Sequence, residues 1–264
     1  MSQAPTSNDT LVAVAVGNTR TRFGVFTGSE LGTPRSVENA DPAALIRAIA
    51  EEAGKLEDSV VVIASVNDEV ADALEEGLGG VLESPPMRIG RDIPIPLVHT
   101  LSDASTLGQD RMLNALGASA RARQACVVVD AGTAVTVDYV DAEGVFRGGL
   151  IAPGLNMMLQ SLHEHTAALP LLRYERPEAG SGPGGSDTAS AMQLGVTMAL
   201  RGLVRLAVET FAIRYEGYPQ VVATGGDLGV LEEDDAIEHF VPDLQLIGIH
   251  TCCLGTLADA DDDE

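Results

Sequence analysis

Three turns built of small residues carry the chemistry most directly legible in this chain. The first, Gly17-Asn18-Thr19, closes the apolar run Val12–Val16 and opens an alternating stretch that ends at Phe26. A glycine-containing turn at a strand end presents backbone N–H groups and hydroxyls, the groups that cradle a phosphate. The second turn, Gly132-Thr133, follows the run VVVDA in the same manner, and the third is Gly225-Gly226 within VVATGGD. A nucleotide phosphate travels with a cation, and that cation needs an acid near it. Asp130 stands two residues before Gly132 and supplies one, whereas Ala15 stands two residues before Gly17 and does not.

The elements around these turns repeat. Setting AVAVGNTRTRFGVF from Ala13 above VVDAGTAVTVDYVD from Val128 gives, in both, an apolar strand, a small-residue turn and a second strand. Gly17 then matches Gly132, Asn18 matches Thr133, and Ala15 falls opposite Asp130. Hydrophobic spacing predicts an antiparallel pair over Leu11–Val16 and Thr21–Phe26, and a helix opening at Asp41 with Pro42 in its first turn. It also predicts a doubly buried strand over Ser59–Val66 and a helix over Asn67–Leu78 with Val70, Leu74 and Leu78 on one face. In the second half it predicts strands at Cys126–Asp130 and Ala134–Tyr139, then a turn and helix over Ile151–His165. A long helix over Asp187–Tyr215 follows the linker GSGPGG, and a strand at Gln220–Ala223 leads into the Gly-Gly turn. The class is α/β, and 264 residues suffice for two domains. The expected division is a polar extension over 1–10, domains over 11–120 and 121–257, and an acidic tail over 258–264.

Composition narrows the partners. The net charge is −23 and Lys55 is the only lysine, a surface that repels nucleic acid and anionic membranes. Much of the acid lies in Glu232–Asp235 and the terminal ADADDDE, which read as a solvated loop and a frayed tail. No apolar run reaches membrane-spanning length and MSQAPTSNDT is not a signal peptide, so a soluble cytoplasmic protein is expected. Cys126, Cys252 and Cys253 fit neither a disulfide framework nor a zinc site and read as packing residues. His163 and His165 have no third ligand at suitable spacing and read as surface or pocket rim.

Beyond these features, Gly108-Gln109-Asp110-Arg111, VVVDAGTAVTVDYVD, GGLIAPGLNMMLQSLHEHTAALP and GSDTASAMQLG, in that order, resemble the type III pantothenate kinases. The likeness runs from Leu11 to about Gly255. It implies two related actin-like (ribonuclease H-like) α/β domains closing on a nucleotide cleft, as in the sugar kinase and Hsp70 superfamily. It implies phosphorylation of pantothenate by ATP with Mg2+ and a monovalent cation, K+ or NH4+, in a homodimer whose substrate pocket lies near the subunit interface.

The family pattern extends to particular residues. Asp110 matches the general base, with an ordinary helix-starting ion pair as the plain alternative. Gly108, Gln109 and Arg111 match substrate-binding positions, and the guanidinium of Arg111 suits a carboxylate or phosphate. Thr188 matches a substrate contact at a place where Asp187-Thr188 can equally cap a helix. Asp130 matches the monovalent-cation residue and Thr133 an ATP-phosphate contact. Ala15, Val16, Gly17, Asn18, Thr19, Arg20, Thr21 and Arg22 match the first phosphate loop, and Gly225 and Gly226 the turn near the adenosine.

Two departures accompany the match. The family's first loop reads Asp-x-Gly-Asn-Thr and here begins at Ala15; the substrate loop's aromatic and Asn-Pro positions read Leu101, Asp103 and Ala104. Three functions follow from this pattern: a pantothenate kinase, a kinase-like protein that binds nucleotide or pantothenate and regulates, or a kinase for another hydroxylated acid.

Overall fold

A run as apolar as Leu11–Val16 has no face to offer water, so it must lie inside a sheet covered on both sides. In the computed structural model, which describes residues 10–56, 59–177 and 184–261 with side chains as far as 254, this run is the central strand β1 (Thr10–Val16), buried throughout from Leu11. The chain then forms β2 (Arg20–Thr27), β3 (Glu30–Leu31), β4 (Arg35–Glu38), α1 (Pro42–Ala53), β5 (Val60–Ser65), α2 (Asp68–Gly79), β6 (Met87–Arg88) and α3 (Gln109–Ala122). Next come β7 (Cys126–Ala131), β8 (Ala134–Val140), β9 (Phe146–Pro153), α4 (Leu155–Glu164), α5 (Thr188–Arg214), β10 (Gln220–Thr224), β11 (His239–Phe240) and α6 (Leu244–Asp261). The polar start before Thr10 and most of GSGPGG lie outside the described residues.

The chain forms two compact units, one reaching Arg121 and resuming at Asp243, the other spanning Ala122–Pro242. Each contains one sheet of the same design. In the first the order is β3-β2-β1-β5-β6, with β4 also on β2; in the second it is β9-β8-β7-β10-β11. In both, the central strand pairs antiparallel with the next strand in sequence and parallel with a later one. The internal repeat is therefore a repeat of topology. Burial parity carries it to single residues. Val12, Val14 and Val16 face the cluster formed with α1 and α2, and Val127, Val129 and Ala131 face the one formed with α4 and α5. Ala15 and Asp130 thus occupy corresponding opposite faces of their strands.

Local chemistry sets the helix ends. Asp41 accepts a hydrogen bond from the Ala44 N–H at 2.9 Å with Pro42 in the first turn, and Asn67 caps α2 through the Val70 N–H. Asp187 and Ser190 form a reciprocal capping box at α5, so Thr188 is the first helical residue and Asp187 the cap.

The structure revises the sequence reading at three places. Ile151–Pro153 belongs to β9, since these residues complete the β8–β9 ladder before α4 begins. Asp234, expected in a solvated loop, is only 3% exposed, and the Arg205 Nε meets both its carboxylate oxygens at 3.0 Å. The helix α6, expected with the second domain, packs on the first unit. Its Leu246, Ile249, Cys252 and Cys253 cover the face of β1 formed by Leu11, Ala13 and Ala15. Glycines permit the approach of α6 to α3: a Cβ on Gly248 would lie 2.0 Å from the Leu113 carbonyl oxygen, and one on Gly117 would lie 2.9 Å from that of Leu244. Burial pushes both Cys252 and Cys253 up to about 12, which makes them packing groups.

Candidate active site

In the first unit the turn after β1 is held by backbone and by one side chain. The Gly17 N–H donates to the Arg20 carbonyl at 3.0 Å, and the Val66 N–H donates to the Val16 carbonyl at 3.0 Å. Asn39, which follows β4, reaches the same turn, donating through Nδ2 to the Gly17 carbonyl at 2.8 Å and accepting the Thr21 hydroxyl at 2.8 Å. Asn18 and Thr19 are left exposed at the tip. The residues after the tip diverge from it. Arg20 pairs with Glu38, Thr21 is fully buried against Asn39, and Arg22 forms an ion pair with Asp243 just before α6. Gly17, Asn18 and Thr19 are thus gathered at the loop, Thr21 joins it through Asn39, and the side chains of Arg20 and Arg22 are engaged elsewhere.

Ala15 lies directly across the ladder from Arg22 and is 3% exposed, packed in the cluster that includes Leu113 and Leu246. No carboxylate replaces the missing acid on this strand, where Ala15 is flanked by Val14 and Val16.

The first unit also positions Gly108-Gln109-Asp110-Arg111 at the start of α3. Asp110 Oδ1 accepts the Arg111 N–H at 2.8 Å. Gly108 is pressed against the same carboxylate, since a Cβ there would lie 2.4 Å from Asp110 Oδ1. Gln109 turns away from the helix start into the sheet. Its Oε1 accepts the Ser65 N–H at 3.3 Å, and its Nε2 donates to the Ile89 carbonyl at 3.1 Å, tying α3 to the ends of β5 and β6. Upstream, where the proline is missing, Asp103 holds the loop by accepting the Ser105 N–H at 2.8 Å, and the Leu107 N–H donates to the Ala104 carbonyl. The hydrogen bonds from Ser105 lower the Asp103 carboxyl below its ordinary value.

In the second unit Gly132 and Gly225 both approach the Asp130 carboxylate, with Thr133 at the tip of the same turn. Asp130 pairs across the parallel ladder with Thr224, the last residue of β10, and across the hairpin with Thr136. The hairpin turn is one residue tighter than the first, because Ala15 meets Arg22 while Asp130 meets Thr136. Thr133 is exposed at the tip, and its carbonyl accepts the Gly154 N–H at 3.1 Å, which seats the start of α4 against the loop. Gly226 is exposed, and burial raises the Asp227 carboxyl above its ordinary value. Thr188 lies exposed at the head of α5. His163 spends its Nδ1 on the Leu169 carbonyl at 2.8 Å, and among the described residues no group of three or more His, Cys, Asp or Glu is placed to hold a metal.

Gly225 is a tight point of this cluster and the one with a left-handed backbone. Its φ is +101°, and a Cβ would lie 2.2 Å from the Ala131 carbonyl oxygen and 2.5 Å from Asp130 Oδ1. Gly225→Ala is therefore expected to cost about 1–3 kcal/mol of stability through backbone strain and displacement of Asp130, measured as a shift in the urea midpoint.

Asn39 is the residue that sequence reasoning missed. It lies more than a helix length from the loop in sequence, and the only signal was an Asn-Ala-Asp-Pro turn that reads as the approach to α1. Arg205 and Asp234 were missed for a similar reason, since a charge run conceals which member is buried.

The type III pantothenate kinase profile matches residues 11–210 of the chain. A type III pantothenate kinase from Caulobacter vibrioides is 34% identical over 248 residues, covering 90% of this chain and 95% of that protein. Among solved structures, a Baf family transcriptional activator from Campylobacter jejuni superposes with a TM-score of 0.59 at 20% identity, covering 91% of this chain and 96% of the other. An activator of 2-hydroxyisocaproyl-CoA dehydratase from Clostridium difficile, solved with bound ADPNP, gives 0.52 at 13% identity, covering 96% of each. At such identities the likeness is one of fold, and it agrees with a doubled actin-like sheet of identical strand order. The sequence relationship says more, because it spans both units and every loop described above: the chain belongs to the type III pantothenate kinase family.

Proposed function

We propose that the protein transfers the γ-phosphoryl group of ATP to the hydroxyl of pantothenate, giving 4′-phosphopantothenate, the first step of coenzyme A biosynthesis. The observation that carries this reading is the family relationship over nine-tenths of the chain, with Asp110-Arg111 opening α3 beside a loop at Leu101–Leu107. Asp110 accepts the hydroxyl proton as the oxygen attacks phosphorus. The Arg111 N–H on Oδ1 fixes the plane of that carboxylate. Arg111 itself, with Gly108 and Thr188, is assigned to the substrate, and Gln109 to holding the head of α3 in place. Gly17, Asn18, Thr19 and Thr133 are assigned to phosphate oxygens, and Gly225-Gly226 to close backbone access to the adenosine.

A monovalent cation, K+ or NH4+, is assigned to Asp130, and Mg2+ to the ATP phosphates. The donor set fits this assignment. A single carboxylate at a strand end suits a hard cation, which Asp130 would hold. The cations would neutralise phosphate charge.

A homodimer is assigned on the surface of α5, where Met198, Leu206 and Ile213 are 57%, 65% and 79% exposed. Gly195 and Gly202 lie on the same helix face with open space above them, so a second copy could approach closely. The double variant Leu206→Glu/Ile213→Glu is expected to sediment as a monomer where the parent sediments as a dimer. Among the described residues no helix is long and apolar enough to cross a membrane, and the cytoplasm is the compartment assigned.

The test is an ATP- and K+-dependent assay of pantothenate phosphorylation on the purified chain, with product detected by mass. Ala15 favours one second reading, a binding protein of the same fold that has lost turnover. That reading predicts ATP or pantothenate binding with no product. Phosphorylation of a different hydroxylated acid in the same assay would instead point to the altered loop at Leu101, Asp103 and Ala104.

A further inference from the structure

The first phosphate loop has no carboxylate of its own, so its shape must be set by other groups. The strongest of these is Asn39. Its Nδ2 donates to the Gly17 carbonyl at 2.8 Å, its Oδ1 accepts the Thr21 hydroxyl at 2.8 Å, and its backbone N–H donates to the Thr19 carbonyl at 3.0 Å. One residue thus grips the turn at its first residue, at its last and at the strand that leaves it. Thr21 is fully buried, so its hydroxyl loses a hydrogen bond to water that Asn39 must supply. Both carbonyls that Asn39 engages, those of Gly17 and Thr19, flank Asn18, the residue at the exposed tip. In a trans peptide the N–H points opposite to its carbonyl, so holding the Gly17 carbonyl turns the Asn18 N–H away from Asn39. A backbone N–H held in a fixed direction at a turn is the group an anion can use.

We propose that Asn39 is a positioning residue that presets the Gly17-Asn18-Thr19 turn for the phosphates of ATP. The inference rests on the reading of that turn as a phosphate loop. Its consequence is selective: loss of the brace weakens ligands in proportion to the phosphate they bring to this turn and leaves adenosine recognition unchanged. The amide is required because it donates and accepts at once; a carboxylate of the same shape keeps the bond from Thr21 but cannot donate to the Gly17 carbonyl.

The experiment measures ATP and AMP dissociation constants by calorimetry on the full chain, with melting temperatures, for Asn39→Ala, Asn39→Asp and Asn18→Ala. Loss of one or two neutral hydrogen bonds is expected to weaken ATP about tenfold in Asn39→Ala. AMP binding should remain unchanged. Asn39→Asp should also weaken ATP, and this near-isosteric variant keeps the test alive if the alanine variant melts. Asn18→Ala probes the loop reading separately. Weakened ATP in Asn18→Ala with unchanged ATP in both Asn39 variants would overturn the inference and leave the loop reading standing. Unchanged ATP in all three would overturn both. Equal weakening of ATP and AMP in the Asn39 variants would also overturn the inference, by showing a general loss of structure.

Discussion

Asp110→Asn is expected to lower kcat for pantothenate phosphorylation by about 10²–10⁴-fold, the range for removing a positioned general base. The substitution isolates basicity from shape. The Arg111 N–H bonds to Oδ1 of Asp110, and asparagine keeps an oxygen in that place, so the head of α3 retains its hydrogen bond. Gly108, which leaves room for the side chain, is unaffected because the two residues differ little in volume. Loss of a negative charge in the first turn of α3 costs about 0.3–1 kcal/mol of helix-dipole interaction, and the melting temperature should move by only a few degrees. The KM values for ATP and pantothenate should change far less than kcat, since the lost interaction belongs to the transition state. If kcat survives Asp110→Asn within threefold, the plain alternative holds and Asp110 serves only the start of its helix.

The sequence made most of this architecture legible because both hairpins repeat and both central strands are apolar on both faces. Caps are legible where side-chain chemistry is local, as at Asp41 with Pro42, because such an interaction depends on neighbours three residues away. What escaped was set by contacts distant in sequence. Nothing near Leu246 or Cys253 says that α6 returns to β1; the cause is a glycine crossing at Gly117 and Gly248, two residues 131 positions apart (248 − 117). The short strands β3, β6 and β11 have two residues each, too few for any periodicity to show. In the site, identities at the loop tips were visible, whereas their supports were not. The Gln109 amide, and Asn39 at the Gly17 and Thr19 carbonyls, act on backbone groups, which carry no sequence signature at all. Arg22, aligned with the loop, instead reaches Asp243 because alternation along β2 sends it to the face that α6 covers.

That placement governs the second large effect. Ala15→Asp is expected to raise kcat on the order of 10²-fold by restoring a charge that positions the reacting groups, and to lower the Mg2+ concentration giving half-maximal rate. The position is buried among Leu113, Leu246 and other apolar groups, so an isolated carboxylate there would be costly. Arg22 offsets that cost, because it stands directly across the ladder, where cross-strand side chains lie within about 5 Å of one another. The same proximity creates competition. Arg22 is already paired with Asp243, and a second carboxylate must either share the guanidinium or point along the strand towards the loop. Ala15→Asp in an Arg22→Val background separates these outcomes. If the single variant gains stability without rate and the double variant gains rate, Arg22 captures the new acid. If the rate rises in the single variant, Ala15 alone limits turnover. A rate unchanged in both variants would mean that the loop works without its acid, with phosphate charge carried by the Gly17-Asn18-Thr19 backbone and the cations alone. In that case the braced turn, rather than a carboxylate at position 15, is what holds the phosphates of ATP in this chain.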